Sequence, residues 1–178
     1  MNINSLLVRF PFLISGSLGK SILRNDIKLV KFGNGKNNVL YNASHHANEW
    51  ITSVVLMRFL EDMCINYVLE EDISGISPKE IYDKTTIHFV PMVNPDGVNL
   101  VTGELTNISG AYQYAERITP DDLSFPEVWA ANIRGVDLNG NYPAKWEEAR
   151  EIKFALGYDS PGPAEYVGSS PLSEPETK

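Results

Sequence analysis

Cysteine and positive charge are both scarce in this chain. Its single cysteine, Cys64, cannot form an internal disulfide, which is compatible with a reducing compartment. The 15 Lys and Arg residues are outnumbered by 23 Asp and Glu residues, and the net charge of −8 opposes sequence-independent binding to phosphates. We therefore expect no nucleic-acid partner and no binding to an anionic membrane.

Long apolar runs and a cationic leader are also missing. No segment approaches the about 20 apolar residues that a membrane-spanning helix needs. An export signal requires positive charge ahead of its apolar region, and the first ten residues carry none there. We expect a soluble, unexported protein with the cytoplasm as its compartment and no membrane partner.

Apolar residues make up 43% of the chain, and their spacing alternates between strand and helix patterns. A helix is expected from Glu49 to about Leu69, with its apolar stripe between Ile51 and Met63, and a short buried strand is expected at Val39–Tyr41. This alternation predicts the α/β class, in one domain over residues 1–178. Further expectations are a helix end at Ile3–Val8, strands at Phe12–Leu18, Ser21–Phe32, Thr85–Val93 and Gly135–Asn139, a hairpin turn at Gly33–Asn38, a turn at Asn94–Gly97, a long surface loop at Gly103–Arg134, and helix starts at Ser77 and Ser173.

His46 and Glu49 follow directly after an apolar strand and stand three residues apart. This pair suits a catalytic zinc, which usually takes three protein ligands and keeps a fourth position for water. His88 could in principle supply a third ligand, whereas packing or solvent contact is favoured for His45 and a place in the core for Cys64. The alternative explanation for the pair is a surface histidine beside a helix-start carboxylate.

Four motifs in sequence order resemble those of the zinc metallocarboxypeptidases: His46–Trp50, Asn94–Gly97, Gly135–Asn139 and Ser173–Thr177. Within that family, the segments Val39–Trp50, Pro91–Val98 and Ala131–Trp146 look most like the bacterial γ-D-glutamyl-L-diamino acid endopeptidases. The resemblance implies a zinc cofactor, a cell-wall peptide as substrate, and a mixed twisted sheet flanked by helices. It covers nearly the whole chain but only the N-terminal part of the family's catalytic domain, so we expect a domain that is truncated at its C-terminus.

The resemblance also implies roles for individual residues. His46 and Glu49 match the first two zinc ligands, and Asp137 matches an acid that orients the histidine ligand. Arg134 is the candidate for the arginine that polarises the scissile carbonyl. Asn139 matches an asparagine that helps to hold a substrate carboxylate, but Gly140 stands where ordinary carboxypeptidases have an arginine. This departure argues against simple C-terminal exopeptidase activity.

The family's third zinc ligand and its general-base glutamate have no match in this sequence. We therefore expect the chain alone to be inactive or weakly active, with family function by descent. Missing strands would leave a sheet edge open, so self-association is expected. The alternative function is that of a non-catalytic remnant that binds a muropeptide or a protein.

Overall fold

The computed structural model describes residues 3–178. These residues divide into two compact units, the first made of residues 3–18, 28–43 and 51–92 and the second of residues 19–27, 44–50 and 93–178. Each unit has its own hydrophobic cluster. The predicted single domain over residues 1–178 stays a prediction.

Helices and strands alternate along the chain, as expected for the α/β class. The helices are α1 (Ile3–Arg9), α2 (Ile51–Leu69), α3 (Pro78–Lys84), α4 (Pro95–Val101), α5 (Gly110–Arg117) and α6 (Trp146–Ala155); the strands are β1 (Ile14–Lys20), β2 (Asp26–Phe32), β3 (Asn37–Asn42) and β4 (Thr85–Val90); short 3-10 turns cover Ala47–Glu49, Leu138–Gly140 and Pro175–Thr177. None of the helices in the described chain is both long and apolar enough to cross a lipid bilayer.

The four strands form one mixed sheet in the order β1-β2-β4-β3. β4 runs antiparallel to β2 and parallel to β3, with Leu40 opposite His88. The predicted hairpin turn at Gly33–Asn38 is wrong, because β4 lies between the two strands that this segment connects. A mixed sheet flanked by helices is otherwise confirmed.

The core of the first unit lies between the sheet and α2. Phe32 and Phe89 from the sheet and Leu60 from α2 are fully buried there. The predicted apolar stripe of α2 is only partly right: Met57, Leu60 and Met63 are buried, whereas Ile51, Val54 and Val55 are more than half exposed. The prediction that Val39–Tyr41 is buried is wrong, since all of β3 is exposed.

The core of the second unit is built around Trp129, which is fully buried. Leu100 from α4 and Ala115 from α5 pack in the same cluster, so the expected surface loop at Gly103–Arg134 in fact contains a helix and core residues. The sequence did not predict this helix because its apolar periodicity is weak: α5 buries only one residue of its eight.

Four further segments after residue 84 differ from expectation. The predicted strand at Thr85–Val93 ends at Val90, and the predicted turn at Asn94–Gly97 opens α4. The predicted strand at Gly135–Asn139 is wrong: no strand forms in that described segment, and a 3-10 turn begins at Leu138. In place of the helix start predicted at Ser173, a 3-10 turn covers Pro175–Thr177, and Glu174 stands at its N-cap position.

Candidate functional site

His46 and Glu49 lie at the two ends of one 3-10 turn in the second unit. Ser44 lies two residues before His46 and has a left-handed φ of 51°, which is a strained conformation for a serine. The chain turns at this residue. Side chains three residues apart eclipse one another on a 3-10 turn. The imidazole Nδ1 of His46 accordingly lies 3.2 Å from Oε1 of Glu49.

Asn94 and Gly97 hold this turn against α4. The buried Asn94 amide donates to the carbonyls of His45 and Ala131, and its oxygen accepts from the Gly97 N–H at the start of the helix. A Cβ on Gly97 would lie 2.8 Å from the Cβ of Ala47, so only glycine allows this close packing. The motif predicted as a turn therefore positions the histidine loop.

Asp96, in the same motif, ties the start of α4 to the 21–25 segment. Its buried carboxylate accepts from the Ser21 hydroxyl at 2.7 Å, the Leu23 N–H at 2.7 Å and the Asn25 amide at 2.8 Å. Three donors satisfy the charge of this fully buried carboxylate. Asp96 is thus a structural anchor between α4 and the 21–25 segment.

Asp137 approaches His46 from the other side of the imidazole ring. Its Oδ1 lies 3.3 Å from His46 Nε2, and the carboxylate also accepts from the backbone N–H groups of Asn139 and Glu165. These two backbone donors fix the carboxylate, so it can hold a proton on Nε2 and leave Nδ1 directed at Glu49. The structure therefore brings His46, Glu49 and Asp137 together.

The imidazole of His46 lies between two carboxylates, and this arrangement demands positive charge. Carboxylates only accept hydrogen bonds, so each ring nitrogen needs a proton or a metal ion between it and its oxygen partner. Partial burial by itself lowers the pKa of His46, but the charges of Asp137 and Glu49 and their hydrogen bonds outweigh it, and the pKa lies above its ordinary value. Without a metal, the site thus favours imidazolium.

The pair of donors fits two positions around a zinc ion. Two ligands about 2.0–2.1 Å from a tetrahedral zinc lie about 3.3 Å apart, which is close to the 3.2 Å between His46 Nδ1 and Glu49 Oε1. Across residues 3–178, however, no three His, Cys, Asp or Glu side chains are grouped so that they could hold a metal ion.

The other candidate donors have different partners. His45 Nε2 lies 2.9 Å from the Tyr142 hydroxyl, and burial, followed by the charge of His46, lowers the pKa of His45. His88 lies in β4, with Nε2 2.9 Å from Oδ1 of Asn38. Cys64 is fully buried in the first core, where burial raises the pKa of its thiol to about 12. A thiol of this kind is a core residue, as expected.

Arg134 is half exposed and forms an ion pair with a buried acid. Its Nη1 lies 3.6 Å from Oε2 of Glu174, while the side chain as a whole remains 56% exposed. Glu174 and the buried Glu176 both accept from the amide of Asn132, at 2.9 and 3.4 Å. The structure therefore places the predicted catalytic arginine beside an acidic pair that sequence reasoning missed.

Asn139 and Gly140 occupy the 3-10 turn that Asp137 caps. The Asn139 N–H donates to the Asp137 carboxylate, and Asn139 itself is exposed. A Cβ on Gly140 would lie 2.7 Å from a methyl carbon of Val167, so this position is closed to a side chain unless Val167 moves. The glycine in place of the family's arginine is therefore built into the local packing.

Asn141 is a fully buried residue that sequence reasoning also missed. Its amide donates to the carbonyls of Val167 and Ser170 and to the Ser173 hydroxyl, and its oxygen accepts from the Thr177 hydroxyl at 2.7 Å. These bonds fix the chain between α6 and the last 3-10 turn. The available signal was an asparagine in an otherwise turn-forming segment, which does not distinguish a buried network from a surface turn.

Comparison with known proteins gives a consistent result. A family profile described as zinc carboxypeptidase matches residues 3–178. The chain is similar to γ-D-glutamyl-L-diamino acid endopeptidase 1 of Lysinibacillus sphaericus, with 39% identity over 175 residues that cover 98% of this chain and 43% of that protein. The chain thus spans less than half the length of this curated relative.

Two solved structures share the fold. One is bovine thrombin-activatable fibrinolysis inhibitor in complex with tick carboxypeptidase inhibitor, with 22% identity, a TM-score of 0.65, and coverage of 98% of this chain and 50% of that one. The other is carboxypeptidase A from Helicoverpa armigera, with 19% identity, a TM-score of 0.66, and coverage of 98% and 38%.

Proposed function

The chain belongs to the zinc carboxypeptidase family, and from that premise we propose that it serves the hydrolysis of γ-D-glutamyl-diamino acid bonds in cell-wall peptides. The family predicted from four sequence motifs is confirmed. That the chain is part of a hydrolase of the metallopeptidase type belongs to this proposal. The observation that carries the narrower substrate class is the 39% identity to the Lysinibacillus sphaericus endopeptidase over 98% of this chain.

In this proposal His46 Nδ1 and Glu49 hold zinc. When bound, zinc lowers the pKa of a coordinated water and polarises a carbonyl. Asp137 keeps the proton on His46 Nε2, which presents the Nδ1 lone pair to the metal. The half-exposed side chain of Arg134 supplies hydrogen-bond donors for an oxyanion, while its Nη1 forms an ion pair with Glu174.

The glycine at position 140 favours a substrate that is not recognised by an ordinary C-terminal carboxylate. The position offers no cationic side chain for a terminal carboxylate, and Val167 fills the space that a Cβ would need. Asn139, which is exposed beside it, is then the remaining predicted contact for the substrate. An enzyme that recognises a different end of its peptide fits this arrangement.

We further propose that this chain alone binds zinc weakly and turns over little or no substrate. The described residues supply two ligands at the site, and the other histidines and the cysteine are engaged or buried elsewhere. The same observation favours a second candidate function, in which the chain binds a muropeptide or a protein without hydrolysis.

Zinc titration of the apo chain by calorimetry tests the proposed ligands. We expect weak binding that His46→Ala reduces at least about tenfold, because a catalytic zinc site depends on each of its few ligands. His88→Ala removes a histidine outside the predicted ligand pair and serves as the matched control, with zinc affinity unchanged. Equal losses in both variants would contradict the assignment.

Peptide binding tests the substrate class separately from turnover. We expect the zinc-loaded chain to bind a γ-D-glutamyl-diaminopimelate peptide more tightly than its α-L-glutamyl isomer. Equal affinities would overturn the substrate class, and rapid cleavage would overturn the proposal of weak activity. Preferential binding that persists without zinc would favour the non-catalytic binding function.

A further inference from the structure

Two hydrogen bonds join Asp137 to the segment at residues 165 and 166. Its carboxylate Oδ2 accepts from the Glu165 N–H at 3.3 Å, and its own backbone N–H donates to the Tyr166 carbonyl at 2.7 Å. Oδ1, the other carboxylate oxygen, lies 3.3 Å from His46 Nε2. The segment therefore helps to decide where the Asp137 carboxylate lies relative to the imidazole.

Glu165 has a backbone conformation that its residue type disfavours. Its φ of 73° lies in the left-handed region, which crowds the Cβ of any residue except glycine against the backbone. Such conformations persist only where the surrounding contacts determine them. Because the direction of a residue's N–H depends on its φ, the hydrogen bond from Glu165 to Asp137 depends on these contacts too.

Helix α6 supplies contacts of this kind. Lys153 Nζ forms an ion pair with Oε2 of Glu165. The ring of Phe154 stacks on that of Tyr166, with centroids 6.3 Å apart and planes inclined by 16°. The side chains of Lys153 and Glu165 are 33% and 39% exposed, so both are shielded from solvent over most of their surface. Two consecutive residues of α6 thus hold the two consecutive residues that bond to Asp137.

α6 is itself anchored near its start. Trp146 is buried, and its indole N–H donates to the carbonyl of Val167 at 3.1 Å. The guanidinium of Arg150 lies 5.7 Å from the ring centroid of Trp146 and 4.5 Å from that of Phe154, within the range of a cation–π interaction. Val167 directly follows Tyr166 in the chain, so this anchor keeps α6 beside the segment that holds Asp137.

The charge of Lys153 also acts on Asp137. The hydrogen bond with Glu165 raises the pKa of Lys153, and the charge of Asp137 raises it further. Lys153 therefore stabilises both carboxylates, that of Glu165 by direct contact and that of Asp137 through its charge. An ion pair that is a third exposed adds little to global stability, so we expect its effect in the local geometry of Asp137.

We propose that Lys153 and Glu165 are positioning residues for the candidate metal site. Their ion pair holds Glu165 in the left-handed conformation, its N–H then stays on Asp137, and the Asp137 carboxylate stays on His46 Nε2. This proposal rests on the proposed function, in which His46 Nδ1 binds zinc. Without the ion pair, Asp137 would hold the Nε2 proton less firmly. The neutral ring would then carry its proton more often on Nδ1, which faces Glu49 at 3.2 Å.

NMR of the metal-free chain tests the positioning role without zinc. The ring ¹⁵N shifts of His46, read at a pH where the ring is neutral, give the fraction of molecules with the proton on Nε2. We expect Lys153→Met and Glu165→Ala each to raise the ratio of the Nδ1–H form to the Nε2–H form about threefold, because a hydrogen bond to a carboxylate is weakened. Glu165→Gly should restore the wild-type ratio, because glycine adopts the left-handed conformation without strain.

Lys145→Met is the matched control. It removes an ion pair with Glu148, at 3.2 Å, near the start of the same helix, and the ratio should be unchanged. Circular dichroism verifies that every variant folds. An unchanged ratio in both Lys153→Met and Glu165→Ala would overturn the proposal. Equal changes in Glu165→Gly and Glu165→Ala would also overturn it, because the backbone conformation of Glu165 would then not be what matters.

Zinc titration by calorimetry adds a second readout. We expect Lys153→Met and Glu165→Ala to weaken zinc binding at least about threefold, since groups that orient a metal ligand contribute to metal affinity. Glu165→Gly and Lys145→Met should bind zinc as the wild-type chain does. If His46→Ala leaves the zinc affinity unchanged, the proposed function fails, and the proton ratios of the His46 ring still decide the positioning role.

Discussion

Asp137 illustrates how one carboxylate can set the chemistry of a neighbouring ring. Two backbone N–H groups hold it in place while its Oδ1 faces His46 Nε2 at 3.3 Å. Because the side chain is 14% exposed, water screens its charge only partly. Protonation of His46 therefore reports directly on this contact.

We predict that Asp137→Asn lowers the pKa of His46. Burial already opposes the imidazolium, and Asp137 is the largest of the influences that raise the pKa. Removing that charge should shift the NMR titration of the His46 ring to lower pH in the metal-free protein. Asp159→Asn is the control, because it replaces an exposed carboxylate with the same amide. We expect the titration of His46 to be unchanged in this variant. An unchanged titration in Asp137→Asn would contradict the assigned contact.

At the scale of elements, two glycines just after β2 allow the backbone there to pass very close to the backbone at the start of β4. A Cβ on Gly33 would lie 2.0 Å from the Thr85 carbonyl oxygen, and one on Gly35 would lie 1.8 Å from the Lys84 carbonyl carbon. Gly33 also has a left-handed φ of 100°. Close approach of two backbones, and not a hairpin, is the reason for glycine here.

Gly35→Ala should destabilise the protein by about 3 kcal/mol, because its Cβ would overlap backbone atoms that cannot rotate away. Gly16→Ala is the matched control: it lies in β1, and a Cβ there meets no atom within 4 Å. We expect that control to change the free energy of unfolding by no more than about 0.5 kcal/mol. Urea denaturation measures both, and equal effects would contradict the close approach.

Secondary structure was predictable where the apolar periodicity was strong. The prediction failed where local turns replaced a regular helix or strand. The helix that became α2 was expected within two residues of its observed start and at its observed end. Its exposed Val54 and Val55 were misjudged, because apolar character does not reveal whether a partner covers the surface. The strand expected at Gly135–Asn139 became a 3-10 turn, since the Asp137 side chain caps the Asn139 N–H.

At the scale of the whole molecule, stability depends on acids that folding buries. Burial raises the pKa of Glu176, and hydrogen bonds from Ile22 and Asn132 offset this only in part. The folded protein therefore keeps this proton to a higher pH than the unfolded chain does. As pH rises from the ordinary glutamate pKa through the raised one, the free energy of unfolding should fall, and above that window it should be constant.

Glu176→Gln should remove this fall, because an amide does not titrate. The measurement is urea denaturation from about pH 4 to about pH 8, with the wild-type chain losing stability relative to the variant as pH rises. Glu151→Gln replaces an exposed acid and should retain the wild-type profile. Parallel profiles for wild type and Glu176→Gln would show that Glu176 does not titrate differently in the folded protein.

The sequence by itself determined the α/β class and the family, because apolar periodicity and four short motifs are local properties of the chain. It also singled out His46, Glu49 and Asp137, whose roles as metal ligands and orienting acid stay predictions. Only the tertiary structure showed that His46 lies between the two carboxylates.

Tertiary structure alone also decided which polar residues are buried and which apolar ones are exposed. Asn94, Asn132 and Asn141 are common turn residues in sequence, yet each is fully buried with its amide hydrogen-bonded. Leu40 is the opposite case, because it is apolar and yet 60% exposed in β3. Burial depends on contacts between residues far apart in the chain, and no local pattern encodes those contacts.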